Sequence, residues 1–75
     1  MSDFKTVQLA NYRATLGETL RVDALCGNGW HGVPFVGTIR RIRRVSGQMA
    51  VDIMYRATGS IGTFYAKTVF VHGRP

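Results

Sequence analysis

Met49, Val51, Ile53 and Tyr55 alternate with Ala50, Asp52, Met54 and Arg56. Successive side chains of an extended strand point to opposite sides, so this two-residue period puts an apolar row on one face and the charges on the other. Met49–Ala57 therefore reads as a strand, and a strand with one apolar face needs partners. Thr63–Val71 reads as the next one, with Phe64, Ala66, Thr68 and Phe70 on one face and Tyr65, Lys67, Val69 and Val71 on the other. Thr58-Gly59-Ser60-Ile61-Gly62 between them fits a hairpin connection longer than two residues. Thr19–Leu25 alternates Leu20, Val22 and Ala24 with Arg21 and Asp23, and reads as a further strand after a turn at Gly17-Glu18.

Two stretches allow two readings each. In Thr6–Leu16, Val7 and Leu9 alternate as in a strand, while Leu9, Tyr12, Arg13 and Leu16 also sit at helical spacing. A strand is preferred because the rest of the chain is β. Phe35–Val45 fits a strand with Phe35, Gly37 and Ile39 on one face and a bulge near Arg40-Arg41 that returns Ile42 to the core. It also fits a short helix through Ile39, Ile42 and Val45, closed by Ser46-Gly47. The β-branched residues at its apolar positions, and the hairpin-like Ser46-Gly47-Gln48 that follows, favour the bulged strand.

The chain of 75 residues suits one domain spanning 1–75. A chain of this size buries about 60–65% of its unfolded surface, enough for one modest core. Four to five short strands with Gly-rich turns and little helix make an all-β, mainly antiparallel protein, most economically closed as a small barrel. The run Phe35-Val36-Gly37-Thr38-Ile39-Arg40-Arg41-Ile42, followed by Met49–Tyr55, resembles the central strands of SH3-like barrels. In those barrels a Gly-containing strand follows a long loop and pairs with an alternating neighbour. The resemblance implies an SH3-like barrel with a bulged basic strand and leaves function open, since such barrels host nucleic-acid binders, peptide binders, subunit-interface modules and viral inhibitors alike.

Charge points to the class of partner. Ten Lys and Arg face four Asp and Glu, a net +6, and eight of the ten are Arg. The guanidinium fork suits phosphate and carboxylate and stacks on flat rings, so a partner with negative charge is expected: nucleic acid, or an acidic or nucleic-acid-binding protein. Arg40, Arg41, Arg43 and Arg44 crowd into five positions with no acid nearer than Asp52. Their mutual repulsion is relieved when a polyanion arrives, and each phosphate contact releases counterions. On a regular strand, alternation would divide these arginines between the two faces; a bulge would gather three or four on one. Arg56 and Lys67 are expected to extend the patch. The competing role for such a strand is a solvated basic edge that discourages sheet-to-sheet aggregation.

Trp30 lies in the Gly-rich loop Cys26-Gly27-Asn28-Gly29-Trp30-His31-Gly32-Val33-Pro34 and either stacks on a base, anchors a protein interface or plugs the barrel's open end. Tyr65 is a second stacking candidate; Tyr55 shares the core row and reads as structural. Cys26, His31 and His72 are the only soft or imidazole ligands and lack the paired spacing of a zinc framework. No phosphate-binding glycine loop, nucleophile elbow or zinc-protease helix occurs, and the four acids are scattered. No catalytic residue, metal or cofactor is expected, and the function expected is non-catalytic binding.

The leading expectation is a nucleic-acid-binding module that contacts phosphates with little sequence preference. The alternative is a protein-binding module or inhibitor in the format of phage-encoded anti-CRISPR proteins, with its Arg-rich face docked on a partner. A weaker option is a homo-oligomer formed through an apolar Tyr65, Val69, Val71 face. With one cysteine, no apolar run of membrane-spanning length and a polar start at Met1, the chain reads as a complete cytoplasmic protein without a leader.

Overall fold

The computed structural model describes residues 4–26, 29–30 and 34–75, without the side chains of 25, 26, 29 and 30. Among the described residues the strands are β1 (Thr6–Gln8), β2 (Arg13–Thr15), β3 (Thr19–Cys26), β4 (Gly29–Trp30), β5 (Phe35–Val45), β6 (Gln48–Tyr55), β7 (Ile61–Tyr65) and β8 (Val69–Gly73), with a 3-10 turn at Ala66–Thr68. Every pairing is antiparallel. β8 pairs with β3, β3 with β5, β5 with β6 and β6 with β7; β4 adds to the end of β3, and β1 pairs with β2 as a separate hairpin. No helix among these residues is long and apolar enough to cross a membrane.

The alternating patterns decide which face turns inward. Leu20, Val22 and Ala24 of β3, Ile39 and Ile42 of β5, and Val51 and Ile53 of β6 meet Phe64, Val69 and Val71 in one core, covered by Val7, Leu9 and Ala14 of the β1–β2 hairpin. Each fully buried Val, Leu or Ile contributes about 1.5–3 kcal/mol relative to its exposed state. At one end of this core Phe35, Tyr55 and Phe64 pack as an aromatic trio, with Phe35 and Tyr55 rings 4.6 Å apart. Tyr55 is structural, as its place in the core row implied.

The β5–β6 hairpin is the longest pairing. Its two-residue turn, closed by Val45 opposite Gln48, puts both Ser46 (φ 52°) and Gly47 (φ 79°) in the left-handed region. That is the type I′ geometry whose twist matches the flanking strands. Five pairs from the turn the register shifts between Ile39 and Arg41. The bulge at Arg40 lets Ile39 and Ile42, three apart, both turn inward, which a regular strand forbids. The bulged strand, not the short helix, is what forms.

Four expectations are corrected. The barrel does not close: no ladder joins β7 to β8 among the described residues. The outer edge of β8 is occupied instead, by the Ala10 amide donating to Val69 O at 2.9 Å and by Asn11. Asn11 Nδ2 donates to Val71 O at 2.8 Å and its Oδ1 accepts from Val71 N at 2.7 Å, so one side chain satisfies both backbone groups as a neighbouring strand would. The segment Thr6–Leu16 is neither one strand nor a helix; it folds back on itself, Leu9 N donating to Tyr12 O at 2.8 Å. Thr63–Val71 is two strands rather than one. The 3-10 turn shifts the phase, so that Phe64 and Ala66 before it and Val69 and Val71 after it all face the core. The proposed oligomer face of Tyr65, Val69 and Val71 therefore does not exist: the two valines are buried and Tyr65 is outside.

Glu18 fastens the hairpin to the sheet. It accepts from Tyr12 Oη at 2.5 Å and from the Thr15 amide at 3.0 Å, with Arg74 Nη2 3.8 Å away. These donors, the Tyr12 hydroxyl foremost, hold its carboxyl below its ordinary value of 4.5. A lowered folded pKa means that Glu18 stabilises the fold above the ordinary glutamate pKa, and that this contribution is lost as pH falls through the lowered value. The Tm gap between wild type and Glu18→Gln should therefore shrink on acidification from about pH 7 to about pH 3. A gap that stays constant across that range would remove Glu18 from the acid response.

Candidate functional site

The bulge that restores Ile42 to the core also decides where the arginines go. Arg40 and Arg41 straddle it and are both exposed. Arg40 Nη1 lies 3.4 Å from Met54 Sδ, on the outer side of β6, and Arg41 stands directly opposite outward-facing Asp52. Arg43, two positions on, shares that face. Arg44 turns the other way, its guanidinium 6.0 Å from the centre of the Phe4 ring. Phe4 is held there by its amide, which donates to Ile42 O at 3.0 Å. Three of the four clustered arginines thus share one outer face, and the fourth covers the N-terminal segment.

The three differ in what holds them. Arg43 Nη2 donates to Asp52 Oδ1 at 3.0 Å and reaches Thr63 Oγ1 at 3.5 Å, while the Thr63 hydroxyl donates to the same Asp52 oxygen at 2.9 Å. The Arg43 and Asp52 side chains are only 34% and 16% exposed, so the pair is partly desolvated and its geometry is fixed. Asp52 is committed to Arg43. Arg40 and Arg41 are the more exposed of the three.

Arg43, Ala50 and Tyr65 are directly opposed across β5, β6 and β7. Ala50 is the smallest of the three and is 1% exposed, covered by its larger neighbours. A recess of about 250 Å³ beside this row is lined by Arg43, Val45, Ala50, Thr63, Phe64 and Tyr65. On the β7 side the outer face is apolar, Tyr65 being 42% and Ile61 58% exposed.

The remaining candidates do not join this group. Arg56 follows the far end of β6, its amide donating to Val36 O at 2.9 Å, and lies roughly 20 Å along the strand direction from Ala50 at ~3.3 Å per residue. It lines a separate recess with Phe35 and Tyr55. Lys67 is exposed on the 3-10 turn just after β7, not on a strand. The Trp30 backbone pairs with Leu25, but its side chain lies outside the described residues, as do the Cys26 side chain and His31. His72 Nε2 sits 3.9 Å from Asp23, and no three His, Cys, Asp or Glu gather as a metal site among the described residues.

Sequence reasoning missed Ala50 and Thr63, which carry no chemical signature of their own, and the commitment of Arg43 to Asp52. The last was within reach: counting back from a two-residue turn at Ser46-Gly47 sets Arg41 opposite Asp52 and Arg43 one step away. Arg21 was passed over too. It is exposed on the outer side of β3, opposite Val36, and adds a positive charge toward the Arg56 end of the sheet. The chain matches no family model, no curated protein and no solved structure, so its function has to be read from this basic outer face itself.

Proposed function

We propose that the protein is a cytoplasmic, non-catalytic nucleic-acid-binding module that grips the phosphate backbone with little sequence preference through the outer face of β5 and its neighbours. The observation that carries this reading is the bulge at Arg40, with Arg40, Arg41 and Arg43 all on one side of the sheet. Three guanidinium groups on one face, in a chain of net +6, suit an evenly charged polyanion. No recognition helix is present among the described residues to enter a major groove, and arginine contacts to phosphates position a protein on nucleic acid without carrying sequence information. The SH3-like resemblance belongs to the same proposal. It is supported by the pairing of Gly37-containing β5 with the alternating β6, here in a sheet that stays open between β7 and β8.

The test is fluorescence anisotropy with a labelled DNA duplex, a single-stranded DNA and an RNA hairpin, each at low and near-physiological salt. Micromolar or tighter binding that weakens steeply with salt is expected. Absence of binding to all three at low salt would overturn the reading. The same arginines would then be assigned to an acidic or nucleic-acid-binding protein partner, in the manner of a phage-encoded inhibitor, and sought by pull-down.

A further inference from the structure

We infer that the outer edge of β7 docks a second copy of this chain, β7 pairing antiparallel with β7 about a two-fold axis at Thr63. The inference is independent of the nucleic-acid reading above and uses a different part of the sheet.

The backbone of β7 sets the pairing. At the head of the β6–β7 ladder the Tyr55 amide donates to Ser60 O at 2.7 Å. Hydrogen-bonded and non-hydrogen-bonded pairs alternate along an antiparallel ladder. Gly62 and Phe64, opposite Ile53 and Val51, therefore commit their N–H and C=O groups to β6, while Ile61, Thr63 and Tyr65 turn theirs to the outer edge. Among the described residues no strand pairs along that edge. Tyr65 O accepts from the Thr68 hydroxyl at 2.7 Å and keeps a second lone pair for a strand bond.

An unpaired strand edge is a template for another chain, and folds blunt it with charge, proline, a bulge or a cover. This chain covers its other edges. Ala10 and Asn11 occupy the outer edge of β8, and the Phe4 amide caps Ile42 O where β5 runs beyond β3. β7 has none of these devices. Its register with β6 is unbroken, it holds no proline, and from Ala57 to Ala66 the chain has no charged residue. Net charge far from zero keeps molecules apart, so two chains of net +6 need such a neutral line if they are to meet.

The strand is also complementary to itself. Two-fold pairing at Thr63 sets Ile61 against the partner's Tyr65 and Tyr65 against the partner's Ile61. On the outer side this joins a β-branched and an aromatic side chain, a favourable cross-strand pair. It covers Ile61 and Tyr65, two of the large apolar side chains most exposed in the single copy. On the inner side Gly62 meets the partner's Phe64, an aromatic ring over an edge glycine. Five residues against five make a strip about 17 Å long at ~3.4 Å per residue. So narrow a strip falls short of the ~1,200 Å² buried by stable complexes, and the dimer is a weak one that forms with rising concentration.

The experiment uses the protein alone, with no oligonucleotide present, so its result stands apart from the binding reading. Sedimentation from about 10 µM to about 1 mM, the range in which weak complexes assemble, should show the mass rising from one 8.3 kDa chain toward two. Amide exchange followed by NMR at the two ends of that range should show Ile61, Thr63 and Tyr65 slowing about twofold or more with concentration, and Gly62 and Phe64 slowing less. Ile61→Lys with Tyr65→Lys sets like charges opposite each other at both ends of the strip and should abolish the dimer. Ile61→Lys with Tyr65→Glu sets opposite charges there and should retain it. Circular dichroism establishes that both variants are folded, and the wild-type exchange pattern decides if either is not. A wild type that stays monomeric throughout, an assembly larger than two, outward amides that do not slow, or two folded variants that behave alike would each overturn the inference.

Discussion

Arg40→Ala and Arg41→Ala together should lower affinity for a single-stranded or duplex oligonucleotide by about 100-fold at low salt while leaving the fold intact. Hydrogen bonds to charged groups contribute about 1.5–3 kcal/mol each, and 1.4 kcal/mol is a factor of ten, so two lost phosphate contacts reach this size. The slope of log K against log salt should fall by about 2 on duplex DNA and by slightly less on a single strand, because each contact releases about 0.9 or 0.7 of a counterion. The slope is the sharper readout, since it counts contacts and is blind to stacking. The pair is chosen because both side chains are exposed and neither lies in the core. Arg43 is a poor choice for such a test: its removal strips Asp52 of its charged partner, so any loss of binding would be mixed with loss of stability. Arg44→Ala is the matched control, a nearby cation that faces Phe4 on the other side, and should change the slope by well under half as much as the pair. Equal effects from Arg44→Ala and the pair would mean that net charge, rather than the outer face, is what binds.

Gly37→Ala should destabilise the fold by about 1–3 kcal/mol, the usual range for an extra methyl forced into a packed interior. An 8.3 kDa chain of this length has only about 4–11 kcal/mol in total at the common per-residue stability. Gly37 is buried in β5 opposite Tyr55. A Cβ built on it would lie 2.3 Å from Ile53 Cγ2 and 3.2 Å from the Met54 carbonyl oxygen. The first contact is too short for any real pair of atoms, so Ile53 must move, and it can move only into an occupied core. Chemical denaturation of Gly37→Ala, Ile53→Ala and the double variant tests the cause. If the clash is with Ile53, the double variant should cost less than the sum of the two singles, because the new methyl occupies part of the space that Ile53 vacates. Additive costs would place the strain at the Met54 carbonyl instead.

The parts of this fold that were legible in the sequence are those where one face is apolar over several turns of the pleat. β3, β5 and β6 follow from the alternation of Leu20, Val22 and Ala24 and of Val51, Ile53 and Tyr55, and the bulge follows from the three-residue gap between Ile39 and Ile42. What was not legible depends on short-range phase and on polar side chains acting as backbone. A three-residue 3-10 turn between Tyr65 and Val69 reverses which residues face inward without leaving a compositional mark. The hairpin of β1 and β2 is held by Asn11, whose bonds to Val71 span most of the chain and have no local signature. The open edge follows from the same bonds, for a strand edge already satisfied by Ala10 and Asn11 has nothing left to offer β7. At the site, residue type identified the arginines and Tyr65. The recess beside them came from the register, which brings an alanine, a threonine and an aspartate into the places that give the arrangement its shape.

Arg40 has no opposite number on β6: its neighbours Ile39 and Arg41 stand against the consecutive residues Ile53 and Asp52. Take it away and the two strands would still run in step, with Ile39 and Ile42 inward and Arg41 outward. In genetic terms the bulge is a change of one codon in length, and it adds a cation to the outer face without moving a single core residue to the wrong side. A plain hairpin and a basic one are, at this position, a single insertion apart.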